Sequence, residues 1–375
     1  MDVTFSLNKI KENNTYRELR NYKNFKMNFS TNDYLGISTY EEFIKDFYKE
    51  FENKKQNNFM LSSSSSRLIT GSYEIVLELE NEVEKIYGKP CVVFNSGYDA
   101  NSSILETFCS RHSLIISDRL NHASIYDGII SSGAKLLRYE HLDNEELEQI
   151  LIEYSSKYKD IFVVTESVYS MDGDIFDLDK ILELKKRYKF YLIVDEAHSY
   201  GVHGYGICYN NKKINQIDFL IIPLGKGGAS VGAYVICSQE YKDYIINKSR
   251  KFIYSTALPP INNFWNLYVL KNMYKLEERQ NNLKSITEKT LKYLKEIGIN
   301  SETKSNIVSV IIGDNLKATN IANNLNKKGY VVHAIKEPTV PINTARLRLS
   351  LRADMNIDDI YKFLMELKNE IDSIF

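Results

Sequence analysis

The chain has 375 residues, with 48 lysines and arginines against 49 aspartates and glutamates, for a formal net charge of −1. That balance excludes the broad basic surface of a nucleic-acid binder and offers little to an anionic membrane. No apolar run approaches the roughly 18 residues that cross a bilayer.

The length suits one large domain and a smaller one. Met1-Asp2-Val3-Thr4 lacks the basic start and apolar core of a signal peptide, so a cytoplasmic location is expected. Cys91, Cys109, Cys208 and Cys237 show no C-x-x-C spacing. They are expected to be reduced, in or near strands, and no metal site is expected.

In chain order, the first stretch of note is Ser62–Ser66, which runs into Arg67-Leu68-Ile69-Thr70-Gly71. It reads as a flexible linker or, better, as a substrate-lining loop. Ile75, Leu79, Val83 and Ile86 then mark one helical face, closed by Gly88 and Pro90. Cys91-Val92-Val93-Phe94 predicts a strand, and further strands are predicted at 114–117, 161–165, 191–194, 219–222 and 233–237. Leu147, Ile150, Leu151 and Tyr154 recur at helical spacing behind an Asp143/Glu146 capping pattern. Beyond about residue 250 helices lengthen, ending with Ile360, Phe363, Leu364, Leu367 and Ile371 on one face. Strand–helix alternation argues α/β, a mostly parallel sheet with helices on both faces. The expected organisation is an N-terminal segment (1–40), a large α/β domain (41–250) and a smaller C-terminal α+β domain (251–375).

Chemistry concentrates at strand ends. Tyr191–Val194 runs into Asp195-Glu196-Ala197-His198, and Phe219–Ile222 into Pro223-Leu224-Gly225-Lys226-Gly227-Gly228. Open α/β sheets bind ligands at strand C-termini. Asp-Glu-Ala-His also spells a helicase motif, but that needs an upstream G-x-x-x-x-G-K-[ST] loop, which the sequence lacks. A lysine among small neighbours, paired with a carboxylate that can grip a pyridinium nitrogen, is what pyridoxal 5′-phosphate (PLP) requires. Lys226 is expected to be buried, which favours the neutral amine needed for imine formation. His122, past a strand end, reads as a satisfied loop histidine or as a ring stacked over a planar cofactor. Thr344–Leu351 alternates strictly, with Leu347, Leu349 and Leu351 opposite Arg346, Arg348 and Ser350. Its basic side is either solvated or holds a guanidinium to clamp a substrate carboxylate.

From residue 28 to its end the chain resembles the α-oxoamine synthases, fold-type I PLP enzymes. The resemblance rests on NFSTNDYLGIS (28–38), VFNSGYDAN (93–101), SDRLNHASIYDG (117–128), TESVYSMDGD (165–174), VDEAHSYGVHG (194–204) and LGKGG (224–228). IYSTALPP (253–260) and HAIKEPTVPINTARLRLSL (333–351) are most similar to the subgroup that condenses L-alanine with a pimeloyl thioester in biotin biosynthesis. A relative using glycine or serine with another acyl donor is the alternative, and a non-catalytic PLP-fold binding protein the alternative of another class.

The resemblance implies roles residue by residue. Lys226 would link to the cofactor and move protons at the substrate Cα, and Asp195 would pair with the pyridinium nitrogen. His198 and Ser170 would contact the phenolic-oxygen side, with His122 on the ring face. Gly97 and Tyr98 would hold the phosphate, with Thr256 reaching in from a second subunit of a homodimer. Arg348 would bind the amino-acid carboxylate, while Asn32, Thr339 and Arg17 (or Arg20 in its place) would line the acyl path. The acyl donor would be a coenzyme A or acyl-carrier-protein thioester.

Four positions depart from the family pattern: Pro223 stands where a hydroxyl residue is common, Lys336 where an arginine is, Val76 where a histidine is, and Ser62–Ser66 where glycine is frequent. Pro223 offers neither hydroxyl nor N–H. Lys336 can meet a distal carboxylate only as a point charge.

Overall fold

The computed structural model describes residues 2–55 and 61–374; the outermost residues of the first and last expected segments, Met1 and Phe375, lie outside them. The chain forms two compact units. One comprises residues 35–169 and 175–280, the other residues 1–34, 170–174 and 281–375.

The larger unit is built on a seven-stranded sheet. Its order is Cys91–Phe94, Ala233–Ile236, Phe219–Pro223, Tyr191–Asp195, Ile161–Glu166, Leu114–Asp118, Lys135–Tyr139. Only Ala233–Ile236 runs antiparallel to its neighbours; the remaining pairs are parallel. Central strands are buried along their whole length, as near-continuous Val/Ile/Leu runs require when both sheet faces are covered. Four predicted strands gain one residue at the C-terminal end, Pro223 in one and an acid in the other three: Asp118, Glu166 and Asp195.

Helix Glu74–Tyr87 buries Ile75, Val76, Leu79 and Val83 and ends on Gly88, whose φ of 73° favours glycine. Asp143 caps helix Asn144–Tyr154 through the Glu145 and Glu146 N–H groups. Glu146 does not complete the reciprocal box, because its carboxylate accepts from the Glu140 N–H instead. All four cysteines are buried free thiols. The serine run is anchored rather than linker-like: Ser63 Oγ donates to the Leu258 carbonyl at 2.6 Å, and Ser66 bridges Thr256.

The smaller unit has a three-stranded antiparallel sheet, His333–Ile335, Ala345–Ser350, Ile307–Gly313 in that order. Met27–Asn28 pairs in parallel with Tyr330–Val331. The Ser350 N–H donates to the Phe29 carbonyl and the Ala353 N–H to that of Tyr34. These bonds place the N-terminal segment with the C-terminal elements. Helix Ile357–Asp372 buries Ile360, Phe363, Leu364 and Leu367 behind an Asn356 cap.

Candidate active site

In the larger unit the strand C-termini surround a cavity of about 290 Å³, lined among others by Gly97, Tyr98, Asn101, His122, Glu166, Asp195, His198 and Lys226. Asp195 is 4 % exposed. Its Oδ1 accepts from the Ala197 N–H at 2.7 Å and its Oδ2 from Asn101 Nδ2 at 2.6 Å. Both oxygens of this buried carboxylate are thus engaged as acceptors.

Asn101 also donates to Ser124 Oγ at 3.0 Å. That leaves the serine proton for His122 Nδ1, 2.8 Å away, which the Ser124 N–H also approaches at 3.2 Å. Nδ1 is therefore the acceptor and Nε2 carries the proton of a neutral ring. Burial pushes the His122 pKa down, against the pull of Asp195 and assisted by Lys226. His198 is buried and lines the same cavity.

Lys226 is half-buried, less enclosed than its apolar approach strand predicts, and Gly225 beside it is exposed. Among the described residues its Nζ has no hydrogen-bond or ion-pair partner. At the cavity rim, helix Gly97–Phe108 starts from Ser96, whose Oγ accepts from the Asp99 N–H at 3.0 Å. The Gly97 and Tyr98 N–H groups stay at the open helix end, a ready anion site. A Cβ on Gly97 would lie 2.6 Å from the Pro223 ring, so only glycine fits there. Tyr98 donates to the Asp127 carboxylate and meets His122 edge-on at 6.3 Å. Thr256 is exposed; its carbonyl accepts from Asn95 Nδ2 at 2.7 Å, and it does not line this cavity.

The donor set fits PLP: a carboxylate for the ring nitrogen, an unengaged amine for the aldehyde, a flanking imidazole and a helix N-terminus for the phosphate.

The smaller unit holds two further groups of predicted residues. Arg348 Nε donates to the Ser170 carbonyl at 2.6 Å, Nη1 to Ser350 Oγ at 2.8 Å and Asn32 Oδ1 at 3.2 Å, and Nη2 to Tyr34 Oη at 3.1 Å. Every acceptor is neutral, and among the described residues no carboxylate pairs with this guanidinium. The basic side of the strand is not solvated: Arg346 is buried and paired with Asp172, and Ser350 is buried. Asn32 and Ser170 belong to this cluster.

Arg17, Arg20, Lys336 and Thr339 line a separate groove of about 460 Å³ in the same unit. Lys336 donates to the Asn14 carbonyl. Burial and the nearby Arg20 and Arg17 push its pKa down. Arg20 itself holds Asn323 Oδ1 at 3.0 Å.

Asn101, Ser124 and Glu166 carry geometry that the sequence reading did not assign to them. All three sit inside the quoted blocks, but nothing in their local pattern separates them from structural polar residues.

Residues 24–367 match the model of the aminotransferase class I and II family. The chain belongs to that family. It is similar to the 8-amino-7-oxononanoate synthase of Chlorobaculum parvum, 41% identical over 339 residues, 89% of this chain and 86% of that one. It is also similar to the crystal structure named 8-amino-7-oxononanoate synthase from Francisella tularensis, with a TM-score of 0.77 and 28% identity over 93% of this chain and 98% of that one. Serine palmitoyltransferase from S. paucimobilis shares the fold, with a TM-score of 0.88 at 24% identity over 99% of this chain and 97% of that one. The expected fold-type I architecture and the relationship to the α-oxoamine synthases hold. The family member described here is a PLP-dependent transferase. No helix of the described residues is long and apolar enough to cross a membrane.

Proposed function

We propose that this protein condenses L-alanine with a pimeloyl thioester, releasing carbon dioxide and the carrier thiol, to form 8-amino-7-oxononanoate in biotin biosynthesis. The observation that carries the reading is Lys226: an amine without a partner among the described residues, in a cavity that also holds the doubly hydrogen-bonded carboxylate of Asp195. Similarity to relatives named 8-amino-7-oxononanoate synthase supports the choice of substrates.

PLP, when bound, supplies the electron sink for the negative charge that develops at the alanine Cα. Asp195 would pair with the ring nitrogen, and His122 and His198, with Ser170 as the resemblance implies, would orient the ring. The Gly97 and Tyr98 N–H groups take the phosphate. Arg348 takes the alanine carboxylate, for which its fork has charge to spare. Lys226 Nζ removes the Cα proton. Cα then bonds to the thioester carbonyl carbon as the thiol leaves, the carboxylate departs as carbon dioxide, and Lys226 returns a proton to Cα. Asn32, Thr339, Arg17 and Lys336 serve the acyl substrate, with Lys336 meeting the distal carboxylate as a point charge. Thr256, exposed and outside its own chain's cavity, is assigned to the partner's phosphate in a homodimer.

The test is product formation from alanine, glycine and serine in turn, with pimeloyl-coenzyme A and with the pimeloyl carrier-protein thioester. Turnover with alanine and either pimeloyl donor is expected. Preference for glycine or serine with another acyl donor would move the protein to a sister synthase. PLP binding without turnover on any pairing would make it a binding protein.

A further inference from the structure

Glu166 has no part in the reaction as proposed, yet it lines the cavity at the end of strand Ile161–Glu166. It is the register partner of Asp195 on the adjacent parallel strand. Registered residues of parallel neighbours project from the same sheet face, with strands about 4.8 Å apart. The two carboxyl groups are 2 % and 4 % exposed. Like charges so close and so poorly hydrated do not both ionise.

The hydrogen bonds decide which one holds the proton. Both Asp195 oxygens already accept, from the Asn101 amide and the Ala197 N–H. Glu166 accepts one bond, from the His122 N–H to Oε1 at 2.6 Å. Its Oε2 has no partner among the described residues. The other charged or titratable groups around it are His122, Lys226, Asp118 and Tyr169, whose hydroxyl accepts from the Glu166 N–H at 3.4 Å. The His122 N–H bond and Lys226 favour the ionised form, while burial, Asp195 and Asp118 oppose it, burial most of all.

We propose that Glu166 is a resident neutral carboxylic acid of this cavity. It is a positioning residue that fixes the His122 main chain through Oε1 and offers a proton from Oε2, so that Asp195 remains the anion. Burial foremost, then Asp195, drives its pKa well above the usual carboxylate range, in agreement. The proposal deepens the PLP reading, since a second anion beside Asp195 would compete with it for the ring-nitrogen proton.

The test is infrared spectroscopy of the full-length protein at neutral pH, with and without PLP, with Glu196→Gln (which removes the other raised buried carboxyl) as the parent and Glu166→Gln and Glu166→Ala made on it. The parent is expected to show a protonated-carboxyl carbonyl stretch that shifts in heavy water and disappears in Glu166→Gln. In parallel, Glu166→Gln, which keeps the acceptor for His122 and a donor in place of the O–H, is expected to bind PLP as the parent does. Glu166→Ala strands the His122 N–H and is expected to weaken PLP binding on the order of tenfold. Absence of the band in the parent, its persistence in Glu166→Gln, or equal loss of PLP affinity in both variants would overturn the proposal. The infrared arm needs no cofactor, so failure of every form to bind PLP would count against the functional reading alone.

Discussion

Asn101 Nδ2 lies 2.6 Å from Asp195 Oδ2 and also reaches Ser124 Oγ, so one amide group serves both the cavity's anion and the histidine beside it. Asn101→Ala removes a donor from a buried carboxylate, a loss of about 1.5–3 kcal/mol. PLP affinity, followed by absorbance titration, is expected to fall roughly ten- to hundredfold. Unchanged affinity would show that Ala197 alone suffices to hold Asp195.

The Pro223 ring packs against Gly97 at the open helix end. Pro223→Thr places a hydroxyl there and is expected to tighten PLP about tenfold through one added hydrogen bond to the phosphate. A weaker or equal dissociation constant would count against a phosphate at this end. Gly97→Ala drives a methyl into the same ring and is expected to lower stability by about 1–3 kcal/mol, read from the thermal midpoint.

Arg348 meets only neutral acceptors among the described residues. Arg348→Lys keeps a positive charge but loses the planar fork. The KM for alanine is expected to rise about tenfold or more, with a smaller change in kcat, as a lost carboxylate contact predicts. If KM stays level in steady-state kinetics, the carboxylate is bound elsewhere.

Glu196 follows Asp195 in sequence but faces away from the cavity chemistry. Its Oε1 accepts from the Cys208 N–H at 2.9 Å, and its buried Oε2 has no hydrogen-bond partner among the described residues. Burial pushes its pKa up to about 7 from 4.5. The folded state then holds a proton that the unfolded chain has released between those values. Stability from this group is full below pH 4.5 and is lost as pH rises through about 7, by about 3 kcal/mol. Glu196→Gln is expected to remove that decline from urea midpoints measured across the range. A parallel slope in parent and variant would refute it.

The main sheet was readable because its strands are continuous apolar runs that stop at polar residues, and the same feature pointed to Asp195 and Lys226. The edge strand Lys135–Tyr139 was not readable, since its residues are mostly half or fully exposed and carry no such run. Glu166 and Asp118 show why the site was only partly legible. Both are acids ending buried strands, and locally they look alike. Asp118 turns to structural work, accepting from the Leu120 and Leu142 N–H groups and meeting His141. Glu166 faces the cavity because of which strands lie beside its own, a relation set by residues far along the chain. The solvated reading of the strand's basic side was likewise excluded by distant partners: Asp172 takes Arg346, and Tyr34, Asn32 and Ser170 receive Arg348.

The pairing of Met27–Asn28 with Tyr330–Val331 has a consequence for how the protein is made. A ribosome adding ~5–20 residues per second takes roughly 15–60 s to travel from the first of these strands to the second. Through that interval the leading segment waits without its native neighbour, while the seven-stranded sheet is already complete once residue 236 has emerged. Residues 27 and 28 are therefore among the last to find their places.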